Sequence, residues 1–487
     1  MTTTTTVATK AEYHLRQDPT RSTFNAPRHA MLEKLASAIK QSDSRPWAKR
    51  SIELVLGTDR EIGGEQSPER RVGITPDNVA QLIQFFAGTG IDLTVRVLAD
   101  AGIHAGWTDA DYVRAGAKVI RREEFRLHAT PPDVVHALKE PSTYESEIPG
   151  PFLRIGAMHG GDLSPDSGTA RLLARGDVAI FDGSATGAPG KFRIAIRGPM
   201  SDFAGTIAAE WVLEHLASTE LDGRIVIVGG GRVGTACVRK LAASGVREIV
   251  VCEAGANPQR LAEVARELSL LGNVRVIGIA GLDDENLAAA LDGAAAVVFA
   301  VFAPGNRAPR VASLEMLRER LSPGSLVIDV SIDERGAIQD DDADPDWNSE
   351  MLIPWLEHRL DPIRYRAVPN MPREYPQEAS RAHGDAVTPY LATLLYLSAL
   401  EGGPVAALDR ITQLPANPHC DDPLHAETSE VLSALMNDLR NGLAVYPAGG
   451  RVVVTDAVPE ADRRIIETLL GELGPEGSDE PAKEPKP

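Results

Sequence analysis

A glycine-rich segment in the middle of the chain has the spacing of a dinucleotide-binding turn. Gly229, Gly231 and Gly234 follow the apolar run RIVIV and precede the helical pattern VGTACVRKLAAS. In such a turn the first glycine permits a sharp reversal, the second lets a pyrophosphate approach the backbone, and the third lets helix pack on strand. N–H groups at the start of the helix attract phosphates. The segment predicts a dinucleotide site, and a turn that binds another nucleotide is the alternative.

An acidic residue at the end of the following strand indicates which dinucleotide would bind. Glu253 closes the run REIVVCE and stands about 20 residues beyond Gly234, where Rossmann folds carry the residue that contacts the ribose. A carboxylate there accepts hydrogen bonds from the adenosine ribose and repels a 2′-phosphate. NAD is therefore favoured over NADP, and Arg260 a few residues later weakens that preference.

The elements that must position this turn form two strand–helix series. The first series has the helical stretch NVAQLIQFFAGTG and five strand-like runs: SIELVLGT, DLTVRVLA, DVVHALK, FLRIGAMH and DVAIFD. The second begins at RIVIVGGGRVG and continues through REIVVCE, NVRVIGIA, AAVVFAVF and SLVIDVSI. Alternating strands and helices are typical of parallel sheets covered on both faces. We expect an α/β protein with two Rossmann-like, doubly wound domains.

Two long helical stretches, SDFAGTIAAEWVLEHLA and ASRAHGDAVTPYLATLLYLSALE, flank the second series. They predict an NAD-binding domain over 201–375, inserted into a discontinuous substrate domain over 51–200 and 376–455. Residues 1–50 form an extension with one amphipathic stretch, HAMLEKLASAIKQ. The charged, proline-rich end GPEGSDEPAKEPKP indicates a partly disordered tail within 456–487.

Composition narrows the class of protein further. The chain has 487 residues, a net charge of −19 and three cysteines. The negative charge disfavours nucleic acid as a partner, and the cysteines are too few for a disulfide framework. No apolar run approaches the ~20 residues that span a bilayer, and the N-terminus lacks the apolar core of a signal peptide. A cytoplasmic enzyme with no membrane partner is expected.

Several ordered motifs resemble the alanine dehydrogenase and pyridine nucleotide transhydrogenase family. In the N-terminal half these are ERRVGITPDNVAQL, ADAGIHAGWTDADYVRAGAKVI and ALKEP. They continue as GPMSDFAGTIAA, VIVGGGRVG, VFAPGNRAPRVAS, PGSLVIDVSID, VPNMP and NGLAVYPAGG. The resemblance covers roughly residues 51 to 455, and the order of the motifs is far more specific than any one of them.

The resemblance implies four residues of an active site. The family arginine that binds the substrate carboxylate falls on Arg71, and the lysine of the K-E-P motif falls on Lys139, where it would polarise the carbonyl or imine. The family histidine falls on His159, a residue type suited to general acid–base work. The aspartate that assists it falls on Asp333, expected at the C-terminal end of the strand SLVIDVSI. Each residue alone would also suit a structural role.

Three further positions match the family pattern. Ser201 should meet the cofactor phosphates, Met200 should line the substrate pocket, and Asn370 should contact the nicotinamide side. With Asp333 they complete a site in which a small amino acid and its 2-oxo acid and ammonia interconvert by hydride transfer. The resemblance also implies a homo-oligomer.

The chain departs from the family beside the expected substrate pocket. Gly160, Gly161 and Asp162 follow His159, and Arg197 precedes the GPM motif; Arg373 and Glu374 follow the NMP motif, and Glu334 and Arg335 follow Asp333. These changes put alanine itself in doubt as the substrate. A larger or more polar amino acid is our hypothesis.

Other functions stay open at this stage. The chain could condense an amino acid reductively with a 2-oxo acid, as saccharopine-forming relatives do. A second alternative is a transhydrogenase component, although such components usually lack the histidine at position 159. A third alternative is a sensor that binds NAD without turnover. A zinc site at His419, Cys420 and His425 is disfavoured because paired Cys-x-x-Cys spacing is missing, so no metal is expected.

Overall fold

Two mainly parallel β-sheets with helices on both faces organise the chain. The computed structural model describes residues 26–42, 47–49, 51–57, 69–127, 131–158, 164, 166–184, 196, 198–218, 223–255, 257–302, 308–344, 347–414, 430–448, 451–458 and 460–472. The predicted α/β class with two Rossmann-like domains is confirmed. The domain limits given above remain predictions.

The first sheet is built from the N-terminal series and a late hairpin. Its strands are β1 Ser51–Leu56, β2 Asp92–Leu98, β3 Lys118–Ile120, β4 Val134–His136, β5 Leu153–Gly156, β6 Ala179–Asp182, β15 Leu443–Ala448 and β16 Arg451–Val454. Across the sheet the order is β3-β2-β1-β4-β5-β6-β15-β16. The first six strands are parallel and have the order of a dinucleotide-binding fold. The hairpin β15–β16 adds an antiparallel edge that the strand–helix alternation did not predict.

The second sheet follows the same order. Its strands are β7 Ile225–Val228, β8 Ile249–Ala254, β9 Val274–Ile279, β10 Ala296–Phe299, β12 Leu326–Asp329 and β14 Arg364–Arg366. They lie in the order β9-β8-β7-β10-β12-β14, and all their pairings are parallel. Two short strands, β11 Ala312–Ser313 and β13 Ile338–Gln339, pair beside it. In such sheets ligands bind beyond the carboxyl ends of the strands, where the strand order reverses.

Helices cover the faces of both sheets. They are α1 Ala26–Ser42, α2 Pro76–Ala87, α3 Asp109–Arg114, α4 Gly168–Arg175, α5 Gly198–Ser218, α6 Arg232–Ala243, α7 Pro258–Leu268, α8 Glu285–Leu291, α9 Leu314–Arg320, α10 Ser349–Leu360, α11 Pro376–Glu401, α12 Pro404–Thr412, α13 Val431–Gly442 and α14 Glu460–Glu472. Local sequence starts several of them: Thr75 caps α2 in a capping box with Asn78, and Pro76 occupies the first turn.

Apolar residues on alternate strand positions fill a separate core on each face of a sheet. In β7, Val226 and Val228 face one core while Ile225 and Ile227 face the other. In β1 the same alternation sends Leu54 to one face and Val55 to the other. Strands buried on both faces are typical of parallel sheets, so the near-continuous apolar runs in the sequence follow directly from this architecture.

The described residues of the N-terminal extension, 26–42 and 47–49, dock onto the first unit. In α1, Leu35 is fully buried in the same core as α11. Trp47 packs edge-on against Tyr396, and Lys49 pairs with the buried carboxylate of Asp133 at 2.7 Å. The amphipathic stretch predicted from the sequence is therefore a packed helix.

The ends and long helices of the chain complete the fold. Helix α14 lies inside the segment expected to be a tail, and its Ile466 is fully buried. No described helix is by itself long and apolar enough to cross a membrane, and α11 and α12 meet that criterion only jointly, across a bend of 106°. Side chains of α11 are largely buried within the protein from Ala379 to Leu400.

Candidate active site

The glycine turn lies between β7 and α6, as the sequence predicts, and its geometry leaves one face open. Gly229 has a positive φ of 103°, which L side chains rarely adopt. A Cβ on Gly234 would lie 1.9 Å from the carbonyl oxygen of Gly229, so only glycine lets helix and strand pack this closely. A Cβ on Gly231 would meet nothing within 4 Å. The backbone at Gly231 is therefore open to a ligand at the start of α6, which fits a pyrophosphate.

Two charged side chains, those of Glu253 and Arg260, contact the same turn at Gly230. Oε2 of Glu253 accepts a hydrogen bond from the backbone N–H of Gly230 at 2.7 Å. Arg260 donates to the carbonyl oxygen of Gly230 at 2.8 Å and lies 3.6 Å from Glu263. Glu253 and Arg260 thus both reach the residue between the first two glycines of the motif. The carboxylate suits ribose hydroxyls, and Glu263 partly offsets the guanidinium charge.

A buried ion pair between Glu69 and Arg71 forms the centre of a second group of site residues. Arg71 donates to both oxygens of Glu69, from Nε to Oε1 at 2.7 Å and from Nη2 to Oε2 at 2.8 Å. The side chains are 4% and 1% exposed. Burial raises the pKa of Glu69, but the charges of Arg71 and Lys139 and hydrogen bonds from Arg71 and Asn370 outweigh it and hold that pKa well below its usual range. The carboxylate stays ionised, so the guanidinium has a fixed orientation.

Asn370 connects this pair to Asp333. Its Oδ1 accepts from Nη2 of Arg71 at 2.8 Å, and its Nδ2 donates to Oε2 of Glu69 at 2.9 Å. The backbone N–H of Asn370 donates to Oδ1 of Asp333 at 2.6 Å. Asn370 has a left-handed φ of 50°, a conformation in which asparagine is enriched. Such uncommon backbone conformations concentrate at functional sites.

The position of Asp333 differs from the sequence-based expectation. Strand β12 ends at Asp329, and Asp333 lies in the 3₁₀ turn Val330–Glu334 beyond it. The buried Asp329 carboxylate shapes this turn, because it accepts the backbone N–H groups of Ser331 and Ala337, each at 3.0 Å. Burial raises the pKa of Asp329 to about 6. Asp333 itself is exposed, so it can meet a ligand at the carboxyl edge of the sheet.

The start of α5 touches both clusters. Sδ of Met200 accepts a hydrogen bond from Nη1 of Arg71 at 3.3 Å. Two residues later, Asp202 binds both ends of the Arg232 guanidinium, at 2.8 and 2.7 Å, and Arg232 is the first residue of α6 in the glycine turn. Ser201 lies between them and is half-buried. One helical turn thus links the Glu69–Arg71 ion pair to the glycine turn.

Lys139 completes the described part of the site. It follows β4 by three residues and is half-buried. Its positive charge is one of the causes that lower the pKa of Glu69. Glu69, Arg71 and Lys139 together carry two cations and one carboxylate. Such a cluster attracts an anionic substrate group while Glu69 keeps Arg71 in position.

The structure brings most of the sequence-predicted residues together. Hydrogen bonds connect Arg71, Met200, Asn370 and Asp333, and the charge of Lys139 acts on Glu69 in the same group. Asp202, next to Ser201, joins the start of α5 to Arg232 in the glycine turn. His159 lies outside the described residues, as does the segment 418–425. Among the residues that the structure describes, no group of three or more His, Cys, Asp or Glu side chains is placed to hold a metal ion.

Sequence reasoning missed the partner of the central arginine. Glu69 opens the motif ERRVGITPDNVAQL, but the motif alone indicates no role for it. The spacing Glu-x-Arg is the sequence signal that indicates this pair, because it lets Oε1 of Glu69 accept a hydrogen bond from the backbone N–H of Arg71 at 3.0 Å. The ion pair between Asp202 and Arg232 joins residues 30 positions apart and carries no comparable local signal.

Fold and site define an α/β protein with two doubly wound units, a glycine turn at the switch point of one and a cationic cluster at the carboxyl edge of the other. Family models agree with this class. The N-terminal domain of alanine dehydrogenase/PNT matches residues 61–183, and the C-terminal domain of alanine dehydrogenase/PNT matches residues 215–406. The chain belongs to the alanine dehydrogenase/PNT family, which confirms the resemblance inferred from the motifs.

Individual relatives are more distant. The chain is 26% identical over 370 residues to an alanine dehydrogenase of Staphylococcus saprophyticus, covering 72% of this chain and 90% of that protein. It is 27% identical over 359 residues to alanine dehydrogenase 2 of Staphylococcus aureus, covering 70% and 87%. A solved L-alanine dehydrogenase superposes with a TM-score of 0.59 at 22% identity, covering 86% of this chain and all of that one. A Sinorhizobium meliloti transhydrogenase gives 0.53 at 17% identity, covering 71% and 96%, so these structures support the shared fold.

Proposed function

We propose that this protein is an NAD-dependent amino-acid dehydrogenase, which interconverts a small amino acid with its 2-oxo acid and ammonia. The observation that carries the proposal is the connected cluster of Glu69, Arg71, Asn370 and Asp333, with Lys139 beside it. The link through α5 to the open glycine turn supports a shared reaction centre. The similarity to alanine dehydrogenases supports the type of reaction.

The cationic cluster binds the substrate in this proposal. Arg71 holds the substrate carboxylate, and the ion pair with Glu69 prevents its guanidinium from rotating. Lys139 contacts the carboxylate and polarises the carbonyl or imine bond. Positioning of this kind and preorganised charge are large contributions to catalysis. Met200 forms the wall of the pocket next to Arg71.

The glycine turn holds the cofactor. Gly229, Gly231 and Gly234 let a pyrophosphate approach the start of α6, and Ser201 contacts its phosphates. Glu253 binds the adenosine ribose, which favours NAD over NADP. When bound, the nicotinamide supplies the hydride acceptor or donor.

Proton transfer completes the proposed chemistry. His159 acts as the general acid–base, a role implied by the family pattern, and Asp333 assists it. In this proposal Asn370 and Asp333 face the nicotinamide. The hydrogen bond from the backbone N–H of Asn370 to the carboxylate of Asp333 supports this role, since it fixes their relative position.

The pocket rim supports a substrate more polar than alanine. Arg373 and Glu374 follow the NMP motif that begins at Asn370, and Nε of Arg373 lies 3.4 Å from Glu374. Glu374 also lies 3.9 Å from Arg70, the neighbour of Arg71. This rim of alternating charge favours an amino acid with a polar side chain.

A spectrophotometric screen tests the function. Purified protein is supplied with NAD and each amino acid, or with NADH, ammonia and each 2-oxo acid, and absorbance of the reduced nicotinamide is followed. We expect turnover in both directions and a higher kcat/KM for a polar amino acid than for alanine. Oxidation of NADH that requires an amino acid and an oxo acid together would instead identify a condensing enzyme. NADH binding without turnover for every substrate would contradict the proposal.

Matched variants assign the activity to the cluster. Lys139→Ala should lower kcat/KM by about 100-fold or more, since it removes a preorganised cation at the reacting group. His159→Ala should do the same. Lys118→Ala removes an exposed lysine on β3 and should leave activity unchanged. Equal effects of the two lysine variants would exclude the assigned site.

A further inference from the structure

A second buried ion pair lies directly behind Lys139. Nε of Arg154 on β5 donates to Oε2 of Glu145 at 2.8 Å, and both side chains are fully buried. Taking two charges out of water is costly, and apolar residues of similar size often stabilise a core as well or better. Stability alone therefore does not explain why Arg154 and Glu145 are charged.

The same guanidinium also binds the main chain next to the proposed site. Nη2 of Arg154 donates to the carbonyl oxygen of Lys139 at 2.6 Å, and Nη1 donates to that of Ala157 at 3.3 Å. Strands β4 and β5 pair only as far as His136 and Ile155. Arg154 thus connects the two chain segments just beyond the point where the strand ladder stops.

Two neighbouring features are built around this contact. A Cβ on Gly156 would lie 2.2 Å from the carbonyl oxygen of Ala137 and 2.8 Å from Nη1 of Arg154, so glycine makes room for the guanidinium. Oε1 of Glu145 accepts the backbone N–H of Ser142 at 3.0 Å, three residues after Lys139. The ion pair therefore contacts the main chain at Lys139 and again three residues later, at Ser142.

We propose that Arg154 and Glu145 are positioning residues, which fix the main chain at Lys139 and thereby set where its ammonium lies relative to Glu69 and Arg71. This inference rests on the proposed function insofar as Lys139 contacts the substrate. Both side chains are fully buried, so neither is placed to touch the substrate. The guanidinium acts through the carbonyl oxygen of Lys139, and Glu145 acts by holding the guanidinium.

The test replaces the pair by apolar side chains. Glu145→Met/Arg154→Met removes both charges together, so no unpaired charge remains in the core and the protein is expected to fold. Its melting temperature should fall, because the carbonyl oxygen of Lys139 and the backbone N–H of Ser142 lose these hydrogen bonds. We expect KM for the best amino acid of the screen to rise at least tenfold, with the Kd for NADH within twofold of the parent. A KM and kcat within twofold of the parent would overturn the proposal.

A second readout does not depend on activity. Lysine amino groups are labelled with trace acetic anhydride, and peptide mass spectrometry gives the rate at each lysine. The double variant should change the rate at Lys139 at least threefold and leave Lys118 unchanged. Altered labelling in a protein without amino-acid turnover would retain the positioning role and refute only the proposed function. Unchanged labelling at Lys139 would refute the positioning role even in an active enzyme.

Two more variants control for misfolding of the double variant and for a general structural effect. Arg154→Lys keeps the charge opposite Glu145 but cannot reach both carbonyl oxygens, so it should reproduce the effects on KM and labelling if the double variant fails to fold. Arg175 has the same chemistry at the opposite end of β5: it pairs with Asp177 and donates to the carbonyl oxygens of Ile148 and Gly150. Arg175→Met/Asp177→Asn should change neither readout. Loss of substrate affinity in this control as well would show a general structural effect and overturn the proposal.

Discussion

The ion pair at the centre of the site makes Glu69→Gln unusually informative. Oε1 of Glu69 accepts from the backbone N–H groups of Arg70 and Arg71 and from Nε of Arg71. Oε2 accepts from Nη2 of Arg71 and Nδ2 of Asn370. Five donors thus surround the two carboxylate oxygens. The amide nitrogen of glutamine would face donors in either orientation, and the buried Arg71 charge would lose its counterion.

The magnitude follows from this geometry. Removing one partner of a buried ion pair costs about 3–5 kcal/mol, because the other charge is left uncompensated. At about 2 kcal/mol per molar urea, the unfolding midpoint should fall by roughly 1.5–2.5 M. Glu69→Leu/Arg71→Met removes both charges and should cost less than Glu69→Gln.

Urea unfolding, followed by circular dichroism at several pH values, measures these effects. The pKa of Glu69 is lowered in the folded protein, so its stabilisation is present above the unfolded-state pKa, near the ordinary value of 4.5, and is lost as the pH falls. The curves for the parent and for Glu69→Gln should therefore converge below that pH. As a control, Glu248→Gln disrupts an exposed pair with Arg224 and should change stability by no more than about 0.5 kcal/mol. An unfolding midpoint for Glu69→Gln equal to that of the parent at pH 7 would refute the reasoning.

Further predictions concern the turn and the second sheet. Gly231→Ala should keep the parent melting temperature, because its Cβ would contact no protein atom within 4 Å. It should weaken NADH binding at least about tenfold in a fluorescence titration, because the Cβ would occupy space that the pyrophosphate needs. Gly234→Ala should lower the melting temperature as well, since its Cβ would lie 1.9 Å from a carbonyl oxygen; equal melting temperatures for the two variants would contradict this. Burial raises the pKa of Asp329 to about 6 from its ordinary 3.8. The free energy of unfolding of the parent should therefore fall by about 3 kcal/mol relative to that of Asp329→Asn as the pH rises through 4–6. Thermal unfolding across that pH range measures the difference, and parallel curves for the two proteins would count against the prediction. Glu253→Gln should raise the affinity for NADPH relative to NADH, and an unchanged ratio would show that the carboxylate does not select the cofactor.

The sequence alone determined the features that depend on neighbouring residues. Apolar runs between helical stretches predicted the central strands of both sheets, because strands buried on two faces need apolar side chains at successive positions. The short strands β3 and β14 and the hairpin β15–β16 did not follow from this pattern. The glycines of the turn were identified because positive φ at Gly229 and close packing at Gly234 exclude other residue types. Family motifs selected Arg71, Lys139 and Asn370, and the structure brings these residues together.

Tertiary structure decided which side chains pair. Arg71 and Asn370 are 299 positions apart, and Arg154 meets the carbonyl oxygen of Lys139 only because β4 and β5 are neighbours in the sheet. The early end of β12, which leaves Asp333 in a turn, depends on the Asp329 carboxylate binding two backbone N–H groups. Local sequence restricts backbone conformation, whereas contacts between distant side chains exist only after the strands and helices have packed.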